Sequence, residues 1–191
     1  MAYDVPFGLT QTVAPTVEPI TVADVRTWGQ FSGTTQDLSD KVLLERIKSA
    51  REQCETVSGL VFISTTFAMK LDCFPDEIQL PKPPWISLTS ITYVDTAGAT
   101  QTLASTVYRF DSAQGRISLE WGQVWPITLA VNNAVTVTFV SGFGTAASDL
   151  PARVRECVLA TVQDRLEQHR LVFQLPPGVK EELKSLWSGR I

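Results

Sequence analysis

The chain has 191 residues, of which 44% are hydrophobic and 19% charged, enough apolar material for a buried core and too little charge for a disordered chain. A net charge of −4 leaves no overall basic footprint for gripping nucleic acid. No apolar run reaches the ~18 residues of a membrane span, so no membrane partner is expected.

Residues 1–20 hold Pro6, Pro15 and Pro19 and few core formers, which predicts an extended N-terminal arm. The opening stretch lacks a basic segment followed by an apolar one, so no secretory leader is expected. A helix starts near Thr21, which can cap it with Asp24 three positions on, and Val22, Val25 and Trp28 share its face. Gly29 and Gly33 end it. A longer helix follows from about Leu38 to Val57, with Leu43, Ile47, Ala50, Cys54 and Val57 repeating at helical spacing and Gly59 as its stop.

The period then changes to two. Phe67, Met69 and Leu71, then Ile78 and Leu80, then Thr89, Ile91 and Tyr93 read as strands, and "DTAG" (95–98) reads as a turn. Tyr108 with Phe110 and Ile117 with Leu119 are weaker candidates. Residues 134–144 hold the clearest strand, on Val135, Val137 and Phe139. Helical spacing resumes after Pro151, on Val154, Val158, Val162 and Leu166, and runs to about Leu171. "LPPG" (175–178) breaks it, and Val179, Leu183, Leu186 and Trp187 mark a short last helix.

The fold class expected is α+β: a small helical bundle of about four helices with an inserted antiparallel β-subdomain. Its parts are an arm (1–20), a first helical half (21–62), the β-subdomain (63–145), a second helical half (146–175) and a short helix with tail (176–191). "IQLPKPPWISL" (78–88) lies inside the β-subdomain. Pro81, Pro83 and Pro84 lack amide donors and cannot continue a ladder, so they predict a stiff corner that Trp85 covers.

The search for chemistry finds little. Cys54, Cys73 and Cys157 are an odd, widely spaced set without a CxxC pair, and they read as reduced, buried small hydrophobes rather than a disulfide framework or zinc site. His169 is the one histidine and reads as a surface residue. "SGFGT" (141–145) is not a GxSxG nucleophile elbow, and Gly142 and Gly144 read as a turn. Asp72, Asp76 and Glu77 read as a solvated loop. No catalytic, metal or cofactor residues are assigned, and the chain is not expected to be an enzyme. Mixed charges after residue 150, from Arg153 to Arg190, suit a solvated or subunit-contact face. Five tryptophans in one chain point to anchored interfaces, hence to an assembly protein.

Several short runs support a resemblance. They are Glu18-Pro19-Ile20-Thr21, the Ala50–Glu55 stretch "AREQCE", the Pro-Trp run continuing through residue 103, Tyr108–Asp111, Trp125-Pro126, and Asn133–Gly144 before a proline-opened helix. In order and spacing these resemble the head–tail connector (adaptor, head completion) proteins of long-tailed phages and gene transfer agents, over residues 18–175. The match fades at "DRLEQHR" and in residues 176–191.

The resemblance implies a structural virion protein at the head–tail interface, assembled in the host cytoplasm. It implies a dodecameric ring of neighbouring copies docked on a portal protein. That ring offers a platform for a tail-side stopper or completion protein and leaves a channel through which genome DNA passes without sequence-specific binding. The last helix then supplies the portal contacts, on Val179, Leu183, Leu186, Trp187 and Arg190. Competing readings are a head-closure or tail-completion protein, a DNA-binding terminase accessory, and a carbohydrate-binding β-module with Trp121 and Trp125 as platforms.

Overall fold

Helical and strand periodicities separate along the sequence, and each builds its own unit. The computed structural model describes residues 8–29, 38–167 and 175–188. Within these, residues 8–14 and 64–142 form a β unit, and 15–63 with the chain from 143 onward form a helical unit. The class is α+β, with four helices and antiparallel sheets among the described residues.

The helical unit comprises α1 (Val22–Gly29), α2 (Asp40–Ser58), α3 (Ala152–Glu167) and α4 (Pro177–Ser188). The start of α1 is a reciprocal cap. The Thr21 amide donates to Asp24 Oδ2 at 2.7 Å, and the Asp24 amide donates to Thr21 Oγ1 at 3.1 Å. A shorter aspartate thus does the work usually given to glutamate at this spacing. α2 ends on Gly59, whose φ of 71° lets its amide return to the Glu55 carbonyl. Leu43, Ile47, Ala50 and Cys54 bury the predicted stripe of α2 against Val154, Val158 and Val162 of α3. Leu183 brings α4 onto the same core, fully buried. The second half of "LPPG" does not merely break a helix: Pro177 opens α4, where a missing amide costs nothing. Gly33 and Leu171, expected near helix ends, lie outside the described residues.

The β unit has two sheets. A five-stranded sheet runs in the order β1 (Gly8–Val13), β2 (Thr65–Leu71), β8 (Val135–Ser141), β4 (Trp85–Val94), β5 (Thr100–Thr102). A three-stranded sheet runs β3 (Ile78–Gln79), β7 (Arg116–Leu119), β6 (Tyr108–Asp111). Part of the expected arm is therefore an edge strand, pairing antiparallel with β2 from Gly8 opposite Lys70. The central strand β8 alternates buried and half-buried along its whole length, as a period of two requires. Phe139 sits opposite Phe67 with ring centroids 5.8 Å apart, and each such buried ring contributes about 1.5–3 kcal/mol.

The corner before β4 answers to its sequence. Lys82 takes a φ of 62° and the Pro83–Pro84 peptide is cis. Trp85 Nε1–H donates to the Pro81 carbonyl at 3.0 Å. Its ring covers Gly115, where the backbone has a φ of 64° and a Cβ would run into the indole. Asp95 holds the predicted turn: Gln101 and the Ala99 and Ala97 amides donate to its carboxylate, which keeps its carboxyl below the usual range. One expectation is corrected. Cys54 and Cys157 are buried, but Cys73 is exposed, because it falls in the turn after β2 rather than on its inward face.

Candidate assembly surfaces

On the helical unit, α1 and the start of α3 border a shallow groove of about 260 Å³. Val25 points into the core, and one turn later Trp28 leaves it, 52% exposed. Trp28, Ile20, Ala147, Ala152 and Leu159 give the groove apolar walls. Asp24, Arg155 and Glu156 stand on its rim. Asp24 is already held by the Thr21 cap, whereas Arg155 pairs with no described residue.

The β unit offers the opposite shape. The segment between β7 and β8 is pinned along its length. Trp125 stacks flat on Phe74 at 4.8 Å between ring centroids. The Leu129 amide donates to the Val94 carbonyl at 3.0 Å, and the Asn133 amide to Asp72 Oδ1 at 2.7 Å. Trp121, Val124 and Ile127 project from this held backbone, 98%, 78% and 81% exposed. Burying a large ring normally recovers much free energy, so a fixed loop that leaves one almost wholly in water is a candidate contact surface.

Charge in the helical unit is organised around Arg51. Its guanidinium donates to Glu18 and to Glu55, each at 2.8 Å, and all three groups are largely buried. Burial alone pulls Arg51 down, but Glu55 and Glu18 outweigh it and hold the cation above its ordinary range. Glu55 also accepts the Phe62 amide at 2.9 Å, tying the chain after α2 back to the helix. Arg165 is buried against Ser49 and Gln53, and burial lowers it. The Cys54 thiol, facing Thr161 Oγ1 at 3.6 Å, is pushed up to about 11 by burial. Among the described residues no group of three or more His, Cys, Asp and Glu is placed to hold a metal, and no helix is long and apolar enough to cross a membrane.

No protein-family model and no curated protein matches the chain. Solved structures do. A chain from the neck of an empty gene transfer agent particle, computed with C6 symmetry, superposes with a TM-score of 0.77 at 24% identity. A chain from the virion of a native gene transfer agent particle gives 0.76 at 25% identity, and one from a native neck computed with C12 symmetry gives 0.74 at 25%. In all three the match covers 94% of this chain and 94% of the other. The chain has the fold of a gene transfer agent neck protein. The likeness drawn from the quoted motifs and the likeness of the folds agree.

Two of those motifs turn out to be one feature of this chain. Glu18 of "EPIT" and Arg51 and Glu55 of "AREQCE" are the three members of the buried ion cluster. The residues expected to touch a portal are divided. Leu183 is fully buried and Val179 half-buried against the same core. Leu186 and Trp187 lie on α4, and Arg190 lies outside the described residues, as does His169. Arg153 pairs with Glu182 and Lys184 with Glu181, so the mixed charges near α4 partly satisfy one another. Asp72 and Glu77 accept from Asn133 and Arg116, as loop carboxylates do. Gly142 turns the chain out of β8, and Gly144 is crowded by Asp149, which caps the turn before α3. The sequence offers Trp121 and Trp125 as surface residues only in the carbohydrate-binding reading, and the run after Trp121, "VWPITLAV", is as apolar as any strand, so the sequence does not separate this loop from a core segment.

Proposed function

We propose that this chain is a structural component of a virion neck, a head–tail adaptor that binds a portal as a ring and carries the tail-side proteins. The observation that carries this reading is a match over 94% of the chain to neck chains of gene transfer agent particles. Those necks were computed with C6 and C12 symmetry, which supports a closed cyclic assembly of up to twelve copies. A ring leaves an axial passage. The acidic balance of −4 suits a passage through which DNA slides, since a strongly basic wall would hold phosphates.

The C-terminal end contributes to portal docking through Trp187 and Arg190. Val179 and Leu183 pack in the core of the helical unit first, so their part in docking is to hold α4 in place, and Leu186 stays among the proposed portal contacts. Removing the gene from the particle that encodes it should give DNA-filled heads without tails. Complete tailed particles in its absence overturn the reading. Native mass measurement of the chain alone and with purified portal reports ring formation. Trp187→Ala and Arg190→Ala should each weaken portal binding in that measurement.

A further inference from the structure

We propose that the Trp121 loop of one copy seats in the α1–α3 groove of a second copy, so that a knob and a hole on the same chain generate the ring. The inference rests on the cyclic assembly argued above and names the surfaces that make it.

A cyclic ring is built from a heterologous contact, so each copy carries two different complementary faces. The described residues offer one face of each kind. The knob is Trp121, flanked by Val124 and Ile127, on a backbone already fixed by Trp125 on Phe74 and by the Leu129 and Asn133 amide bonds. A held loop loses little freedom on docking, which is where much of the cost of binding otherwise lies. The hole is the 260 Å³ groove, walled by Trp28, Ile20 and Leu159. Its size fits one large aromatic side chain rather than a whole helix. Trp121 over Trp28 would make an aromatic pair of the kind that dominates interface energies.

Charge points the same way. Glu120 stands beside Trp121 and has only a long, exposed contact of 3.7 Å to Arg109. Arg155 stands on the groove rim without an ion partner among the described residues. With Trp121 in the groove, Glu120 and Arg155 form an opposite pair on one side of a rim that also carries Asp24, already held by Thr21, and Glu156, which repels Glu120 from the other side, so charge fixes the orientation of the contact.

The test is disulfide trapping between full-length chains, in a Cys73→Ser background to remove the exposed native thiol. Trp121→Cys chains are mixed with Ala152→Cys chains, Ala152 being exposed on the groove rim. The expected product under mild oxidant is a mixed dimer that stops at two chains. The doubly substituted chain should give a ladder of higher species. Thr96→Cys, exposed on the β4–β5 turn, serves as the collision control in place of Ala152→Cys. Without introduced cysteines, Trp121→Ala should weaken self-association or portal-templated ring formation about 30-fold or more. A mixed product no stronger than the Thr96→Cys control, or rings unaffected by Trp121→Ala, overturns the pairing. The two readings separate cleanly. Trapping with no neck phenotype on gene removal sinks the virion role alone. A neck ring in which Trp121→Cys and Ala152→Cys chains fail to crosslink sinks this pairing alone.

Discussion

Arg51 is the most exposing place to perturb the helical unit. Arg51→Met keeps the length and apolar stem of the side chain and deletes the cation. Glu18 and Glu55 then face one site with side chains only 12% and 17% exposed, each having lost a 2.8 Å donor. Breaking a buried pair from one side costs about 3–5 kcal/mol, because the remaining charge is stranded. Here two carboxylates lose their cation, although Glu55 keeps the Phe62 amide, so the upper half of that range is expected. For a chain of this size each kcal/mol moves the melting temperature by about 2–4 °C, so the helical unit should melt roughly 8–20 °C lower. Calorimetry of the wild type and Arg51→Met measures this directly. Adding Glu18→Gln and Glu55→Gln to Arg51→Met should recover part of the loss, since neutral amides no longer repel. Arg51→Lys should fall between, because one ammonium cannot match a planar fork. A loss below about 1 kcal/mol for Arg51→Met, or a triple variant no better than the single one, refutes the argument that this cluster holds the N-terminal segment to α2.

Four further outcomes follow from the structure. Gly115→Ala forces a Cβ into Trp85 on a left-handed backbone and should cost about 2–4 kcal/mol in urea unfolding; in a Trp85→Ala background the added cost should fall to about 1–2 kcal/mol. Native chain should react with a maleimide at one thiol of three, Cys73, because Cys54 and Cys157 are buried and burial raises both. The raised Cys54 thiol has a sign: its contribution to stability is intact below about 9 and is lost as pH climbs through about 11, since the unfolded chain ionises first. At ~1.4 kcal/mol per unit, Cys54→Ala should remove up to roughly 2–3 kcal/mol of alkaline destabilisation, read as the difference between two pH–stability curves. Leu183→Ala should cost about 2–5 kcal/mol and loosen α4, so truncation at residue 176 should damage folding as well as docking; a truncated chain as stable as the full one contradicts the burial of Leu183.

The strongest periodicities carried the fold. The stripes of α2 and α3 and the alternation of β8 are long enough that propensity, pattern and burial all point one way. The small sheet was harder to see, because β3, β6 and β7 have two to four residues each and carry little pattern of their own. The edge strand β1 was read only as an extended arm. It is short and mostly exposed, with Leu9 and Val13 as its apolar residues, and its pairing is dictated by β2, more than fifty residues away. For the same reason the ion cluster was visible only as two separate motifs: local sequence states that Glu18 and Arg51 are present, not that they meet. Trp121 illustrates the converse limit. An apolar side chain that faces water is written in the same letters as one that faces a core, and only the anchoring of Trp125 and Asn133 separates them.

The threading of the chain also governs when it can fold on the ribosome. Gly8–Val13 emerges first but must wait for Thr65–Leu71, and Cys54 meets Thr161 only 107 residues later. At ~5–20 residues per second that interval lasts about 5–20 s, during which α2 presents an uncovered apolar stripe to solvent. Neither unit can close before its later partner element, β8 in one and α3 in the other, has left the ribosome.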